Sequence, residues 1–325
     1  MTPEERTNLE KGLVRFQRQW VTPEDREKLA RGLILVSGKW VPNDEKALLA
    51  AGFRRYKDQW MSAEDCAAVR GKWADAWTEE TAHYKIRTNQ GEAFAKELAS
   101  VAEKAWSEFR DFWFMKEPSL PVGSKMELWA FREYEDYRRH CAENKAEAQL
   151  NAAGFATSET NVVVGWNKTG NEQLFLQTMV HEAAHLYYFR VAAPSSLPSW
   201  HAEGMATYFE GFEHAADGWK FGTLASGRID LARDAMKSGT HLPLADLLAG
   251  DALALINSDT RKALLFYSES WALNFYLVRT DNPKYHDGYE NFRKAVMSGK
   301  KASLADFMGD LKQLEKDWVT FVCGL

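Results

Sequence analysis

His181-Glu182-Ala183-Ala184-His185 lies near the middle of the run from Glu172 to Val191, which contains neither proline nor glycine and reads as one continuous helix. Histidines at i and i+4 project from one helix face a turn apart. Both imidazoles can therefore address one point in space, as two ligands of a single metal ion must. Glu182 is turned about 100° from His181, a position that reaches a metal-bound water without itself being a ligand.

Outward from this helix the chain changes character. Upstream, Thr81 to Thr88, Met126 to Phe131 and Asn161 to Trp166 read as strands, the last on the apolar run Val162-Val163-Val164. Helical periodicity separates them, over Glu92 to Trp113 and Tyr134 to Gln149. The aromatic positions Trp106, Phe109, Phe112, Trp113 and Phe114 belong to the core. From Glu172 onward the pattern is helical almost throughout, with candidates at Glu172 to Val191, Pro198 to Phe212, Arg228 to Ser238, Leu242 to Ala249 and Thr260 to Val278. A small sheet followed by a helical half carrying the His-Glu-x-x-His helix is an α+β arrangement.

The first 77 residues are different. Trp20, Trp40 and Trp60 recur every 20 residues, and helix starts recur with them: Thr2-Pro3-Glu4-Glu5, Thr22-Pro23-Glu24-Asp25, a degenerate Pro42-Asn43-Asp44-Glu45, and Ser62-Ala63-Glu64-Asp65. In the first three units Gly12, Gly32 and Gly52 stop the short helix, and Leu9, Leu29, Leu49 and Val69 are expected to face inward. A hairpin follows, clearest in Leu33-Ile34-Leu35-Val36, Ser37-Gly38, Lys39-Trp40-Val41. Single units this small cannot bury their apolar faces alone, so each tryptophan is expected to plug the core of its own unit and its neighbours. The division expected is a repeat module over 1–77 and a catalytic-type domain over 78–325. Met1 stands where the other units carry the residue after a tryptophan, so the pattern opens mid-beat and the natural protein is expected to extend upstream. Localisation follows from that: cytoplasmic if the chain is complete, exported or in the cell envelope if a targeting segment precedes it.

Composition removes several classes. The 325 residues carry 41 Lys and Arg against 46 Asp and Glu, a net charge of −5, with no basic surplus for a nucleic-acid backbone. The most apolar stretch, Ala263 to Val278, is interrupted by Ser268, Glu269, Ser270 and Asn274, so no transmembrane segment is expected. Three cysteines, scattered at 66, 141 and 323, make neither a disulfide framework nor a thiolate zinc site.

The pair His181-Glu182-Ala183-Ala184-His185 and Trp200-His201-Ala202-Glu203-Gly204-Met205-Ala206-Thr207-Tyr208-Phe209-Glu210 resembles the gluzincin metallopeptidases, in particular their peptidase-MA-like branch. The resemblance covers roughly residues 78–325 and implies a zincin-like catalytic domain. It implies one Zn2+ per chain on His181, His185 and Glu203, with Glu182 as general base. Phe266-Tyr267-Ser268-Glu269-Ser270-Trp271 is similar to the family helix that carries a tyrosine donor, which assigns that role to Tyr267, with Tyr276 the alternative. Two departures matter. The Gly-x-Met-Glu-Asn segment with which aminopeptidases of the group hold a free amine is missing, and His201 stands where no ligand is expected.

The activity so implied is hydrolysis of a protein or peptide substrate, endopeptidase in preference to aminopeptidase. A catalytic zinc brings a bound water toward a pKa of ~7, and charge developing on the tetrahedral oxygen needs a further donor. Val162, Val163 and Val164 are expected to pair with an extended substrate as an added strand. Thr207, one turn past Glu203, is expected to orient a ligand. His201, His214 and His241 read as core or surface histidines. The competing reading is a non-catalytic binding or scaffold protein acting through its tryptophan repeats. The oligomeric state is not legible.

Overall fold

Side-chain caps start each N-terminal helix. Thr2, Thr22, Asp44 and Ser62 accept hydrogen bonds from the backbone N–H three residues on, at 2.8–3.2 Å, each worth about 1 kcal/mol. The helices Pro3–Glu10, Pro23–Ala30 and Glu45–Ala50 are each followed by a hairpin, and Ala63–Arg70 closes the series. In the second hairpin Ser37 and Gly38 both take positive φ, the backbone that a two-residue turn matching strand twist requires. The inward set differs from the expected one. Leu9 and Leu49 are exposed, whereas Leu48 is fully buried with Val36, Val41 and Phe53, with Ile34 and Trp60 packed against them. A six-residue helix has one inward turn, and here Leu48 occupies it.

The computed structural model describes residues 1–192 and 196–325. The chain divides into two units, Met1–Ala76 and Trp77–Leu325. Trp77 thus opens the larger unit, as the first residue of the strand Trp77–Glu80. That unit is a mixed α/β body, compatible with α+β. Its sheet has five strands in the order Gly154–Ala156, Val162–Trp166, Met126–Phe131, Tyr84–Thr88, Trp77–Glu80. The three central strands are parallel and both outer strands antiparallel. The stretch read as one strand from Thr81 therefore contains a turn and only half of a hairpin.

Two helices sandwich the core against this sheet. Glu92–Phe112 buries one stripe, Phe94, Leu98, Val101, Ala105 and Phe109. Glu172–Val191, capped by Asn171, is buried over well more than half of its circumference: Phe175, Leu176, Met179, Val180, Ala183 and Tyr187 share one face, and Ala184, Tyr188 and His181 continue the buried arc round from it. The helix expected to reach Gln149 stops at Glu143, since Lys145 takes a positive φ. Other elements carry no sequence signal of their own. The strand Gly154–Ala156 is three residues long with Phe155 its only strong strand former, and the hairpin Phe212–Ala215/Gly218–Phe221 interrupts the helical half. Among the described residues no helix is long and apolar enough to cross a membrane.

Candidate metal centre

Two close approaches bring the site together. Gly154 lies on the Glu172–Val191 helix so tightly that a Cβ there would stand 3.1 Å from both Glu182 Cγ and Thr178 Cγ2. Gly204, on the helix Ser199–Tyr208, lies against Thr260–Arg279: a Cβ would meet Asn274 Nδ2 at 2.1 Å and Ser270 O at 2.3 Å. Only glycine permits that crossing. One side of it carries Glu203 and the other Tyr267, so the crossing sets where these two groups meet.

His181, His185 and Glu203 converge. His181 Nε2 and His185 Nε2 are 3.1 Å apart, and Glu203 Oε2 lies 3.4 Å from the first and 3.6 Å from the second. The three side chains are 10%, 12% and 17% exposed, so an ion here would be reached from one side only. Among the described residues this is the group of His, Cys, Asp and Glu side chains able to hold a metal ion. The donor set, two imidazoles and a carboxylate, suits zinc: a tetrahedral ion with bonds of about 2.0–2.2 Å needs ligand atoms about 3.3–3.6 Å apart, a range that both spacings from Glu203 meet and that the 3.1 Å between the imidazole nitrogens falls just short of.

Behind His181 stands a residue that the sequence reading passed over. Glu210 Oε1 lies 2.8 Å from His181 Nδ1, leaving Nε2 turned to the common point. Its only sequence signal is a carboxylate seven residues after Glu203, two turns along the same direction. Thr207, to which an orienting role was assigned, is buried, and its hydroxyl makes no hydrogen bond among the described residues. The carboxylate that meets His181 Nδ1 is that of Glu210, two residues past the end of the Ser199–Tyr208 helix.

The electrostatics follow from burial among carboxylates. Burial works against a charged His181, yet Glu203 and Glu210 outweigh it and carry its pKa up to about 10. A ring that holds a proton so firmly between two carboxylates offers the same place to a divalent cation. Burial also opposes ionisation of Glu203, but His185 and His181 hold its carboxyl well below the usual range. Glu182 goes the other way: burial raises it, against the pull of His181 and His185. Burial, with the carboxylates of Glu203 and Glu182 close by, pushes the Tyr267 phenol well above its ordinary range.

The strand assignment needs correction. Val162–Trp166 is paired on both sides, by Met126–Phe131 and by Gly154–Ala156. Val163 and Val164 are buried, so Val162, Val163 and Val164 do not form an open edge. The chain returns after Glu143 and covers them, and the free edge next to Glu182 is Gly154–Ala156. The remaining histidines lie outside the cluster. His201 is fully buried, with Nδ1 2.8 Å from Asn274 Oδ1, and burial lowers its pKa to about 3. His214 is exposed beside Trp219, and His241 pairs with Glu315 at 3.7 Å.

A family model described as a protein of unknown function, DUF1570, matches residues 175–296. That span holds His181, Glu182, His185, Glu203, Glu210 and Tyr267. No curated protein matches the chain.

Proposed function

We propose that the larger unit is a gluzincin-type zinc peptidase of the peptidase-MA-like branch, cleaving internal bonds of a protein or peptide. The observation that supports this most is the convergence of His181 Nε2, His185 Nε2 and Glu203 Oε2 within 3.1–3.6 Å of one another. Two imidazoles and one carboxylate leave a fourth position open, the arrangement of catalytic rather than structural zinc. When bound, zinc supplies a Lewis acid that brings water toward a pKa of ~7 and polarises a carbonyl.

The chain's own groups divide the remaining work. Glu182, raised by burial, accepts the proton of the attacking water and returns it to the leaving amine. Tyr267, whose phenol stays protonated beside Glu203, turns its O–H toward the oxygen on which charge develops. Glu210 holds the His181 tautomer. An extended substrate pairs with the free edge Gly154–Ala156, which runs past Glu182 and needs no free terminus.

Glu182→Gln is the test. The variant retains zinc and its fold, while hydrolysis of a labelled general protein substrate drops at least about 100-fold, the usual scale for losing a general base. Cleavage at the wild-type rate by a zinc-loaded Gln variant would refute the mechanism.

A further inference from the structure

Arg228 sits in the first turn of the helix Ser226–Ser238, where the helix dipole disfavours a cation. No acid offsets it in that turn, so its position has to be explained from elsewhere. Its guanidinium lies with Nε 3.5 Å from Glu210 Oε2 and Nη2 3.5 Å from Glu210 Oε1, the two-pronged approach that a planar fork makes to a carboxylate. The same group lies over the Tyr267 ring, 5.7 Å from its centroid. Glu210 is in turn the partner of His181 Nδ1. One side chain thus touches both the carboxylate that orients a candidate ligand and the phenol placed beside Glu203.

Charge bookkeeping points the same way. Glu182, Glu203 and Glu210 bring three carboxylates into a pocket where their side chains are largely out of water. A divalent ion offsets two, and Arg228 offsets the third. An ordinary surface ion pair would be worth little, but here Arg228 is 27% exposed and Glu210 14%.

We infer that Arg228 is a positioning residue of this centre, holding Glu210 against His181 and the Tyr267 ring against Glu203 through one guanidinium. This rests on the zinc-peptidase reading for its effect on turnover, and on the metal site alone for its effect on zinc.

The experiment compares wild type, Arg228→Met and Arg228→Lys in the full chain, with zinc affinity read by chelator competition and kcat and KM read on labelled casein. For Arg228→Met the zinc Kd rises about 10-fold, the usual scale for losing an outer partner of a ligand, kcat falls about 10-fold or more, and KM stays within about twofold. Arg228→Lys keeps the charge without the fork and recovers only part of either loss. In a Tyr267→Phe background Arg228→Met lowers kcat much less than it does alone, because the two act through one group. Zinc Kd and kcat both within about twofold of wild type in Arg228→Met overturn the inference. Should that variant not fold, Arg228→Lys decides, and wild-type values in both measurements overturn it. Zinc affinity that responds to Arg228 in a protein that cleaves nothing removes the peptidase reading and leaves Arg228 with the metal. A wild type that binds no zinc removes both.

Discussion

Glu269 gives the sharpest test of the burial argument because it lies outside the metal centre. It follows Tyr267 by two residues on the helix Thr260–Arg279 and is fully buried, where its carboxyl oxygens accept from the single N–H of Leu242 at 3.0 and 3.2 Å. Burial, with the nearby Glu315 acting in the same direction, raises its pKa to about 8 from an ordinary 4.5. The sign follows from proton counting. Between those two values the unfolded chain has lost the proton and the folded chain keeps it, so stability falls as pH rises. The full gap of about 3.5 units corresponds to about 5 kcal/mol, of which about 3 kcal/mol is already lost at pH 7. Glu269→Gln keeps an acceptor for Leu242 and removes the ionisation. Its stability relative to wild type is expected to be near zero at pH 4.5, about 3 kcal/mol better at pH 7, and larger still at pH 9. In a unit of this size that is a rise in Tm of about 6–12 °C at pH 7. Calorimetry across pH 4.5–9, following the transition of the larger unit, reads the difference directly. A difference curve that is flat, or that favours wild type on the alkaline side, would refute the reasoning.

Other outcomes follow from the close crossings. Gly204→Ala sets a methyl 2.3 Å from the Ser270 carbonyl, a backbone atom that cannot swing away, so the two helices must part. The expected cost is about 2 kcal/mol or more, seen as a lower Tm, together with weaker zinc binding as Glu203 moves; an unchanged Tm would mean the crossing is not tight. Tyr267→Phe keeps the ring under Arg228 but removes the hydroxyl beside Glu203. Turnover on labelled casein is expected to fall about 100-fold with zinc content unchanged, and unaltered turnover would assign the donor role elsewhere.

What the sequence made legible and what it hid have physical causes. The helix Glu172–Val191 announces itself because 20 residues uninterrupted by glycine or proline are too long a run for a strand, and because histidines four apart on a helix share a face. The repeat was legible for the same reason that it is regular: caps and glycine stops recur at fixed offsets. Gly154–Ala156 left no trace. Three residues, of which only Phe155 favours a strand, are too short a run to signal one, and the helix beneath Gly154 and the partner Val162–Trp166 hold them in place. The role of Glu210 was hidden in another way. Its spacing from Glu203 follows helix periodicity, but whether it or Thr207 meets His181 depends on where the helix Ser199–Tyr208 ends, and helix ends are set by tertiary contacts. Arg228 carries no signal in sequence, since its partners lie 18 and 39 residues further off along the chain.

The central claim is that His181, His185 and Glu203 hold a zinc ion, and metal content tests it most directly. Elemental analysis of the purified chain beside His185→Ala, after zinc is offered to both and loosely held ions are dialysed away, is expected to give about one zinc per chain in wild type and almost none in the variant. Zinc absent from both, or present equally in both, would contradict the account.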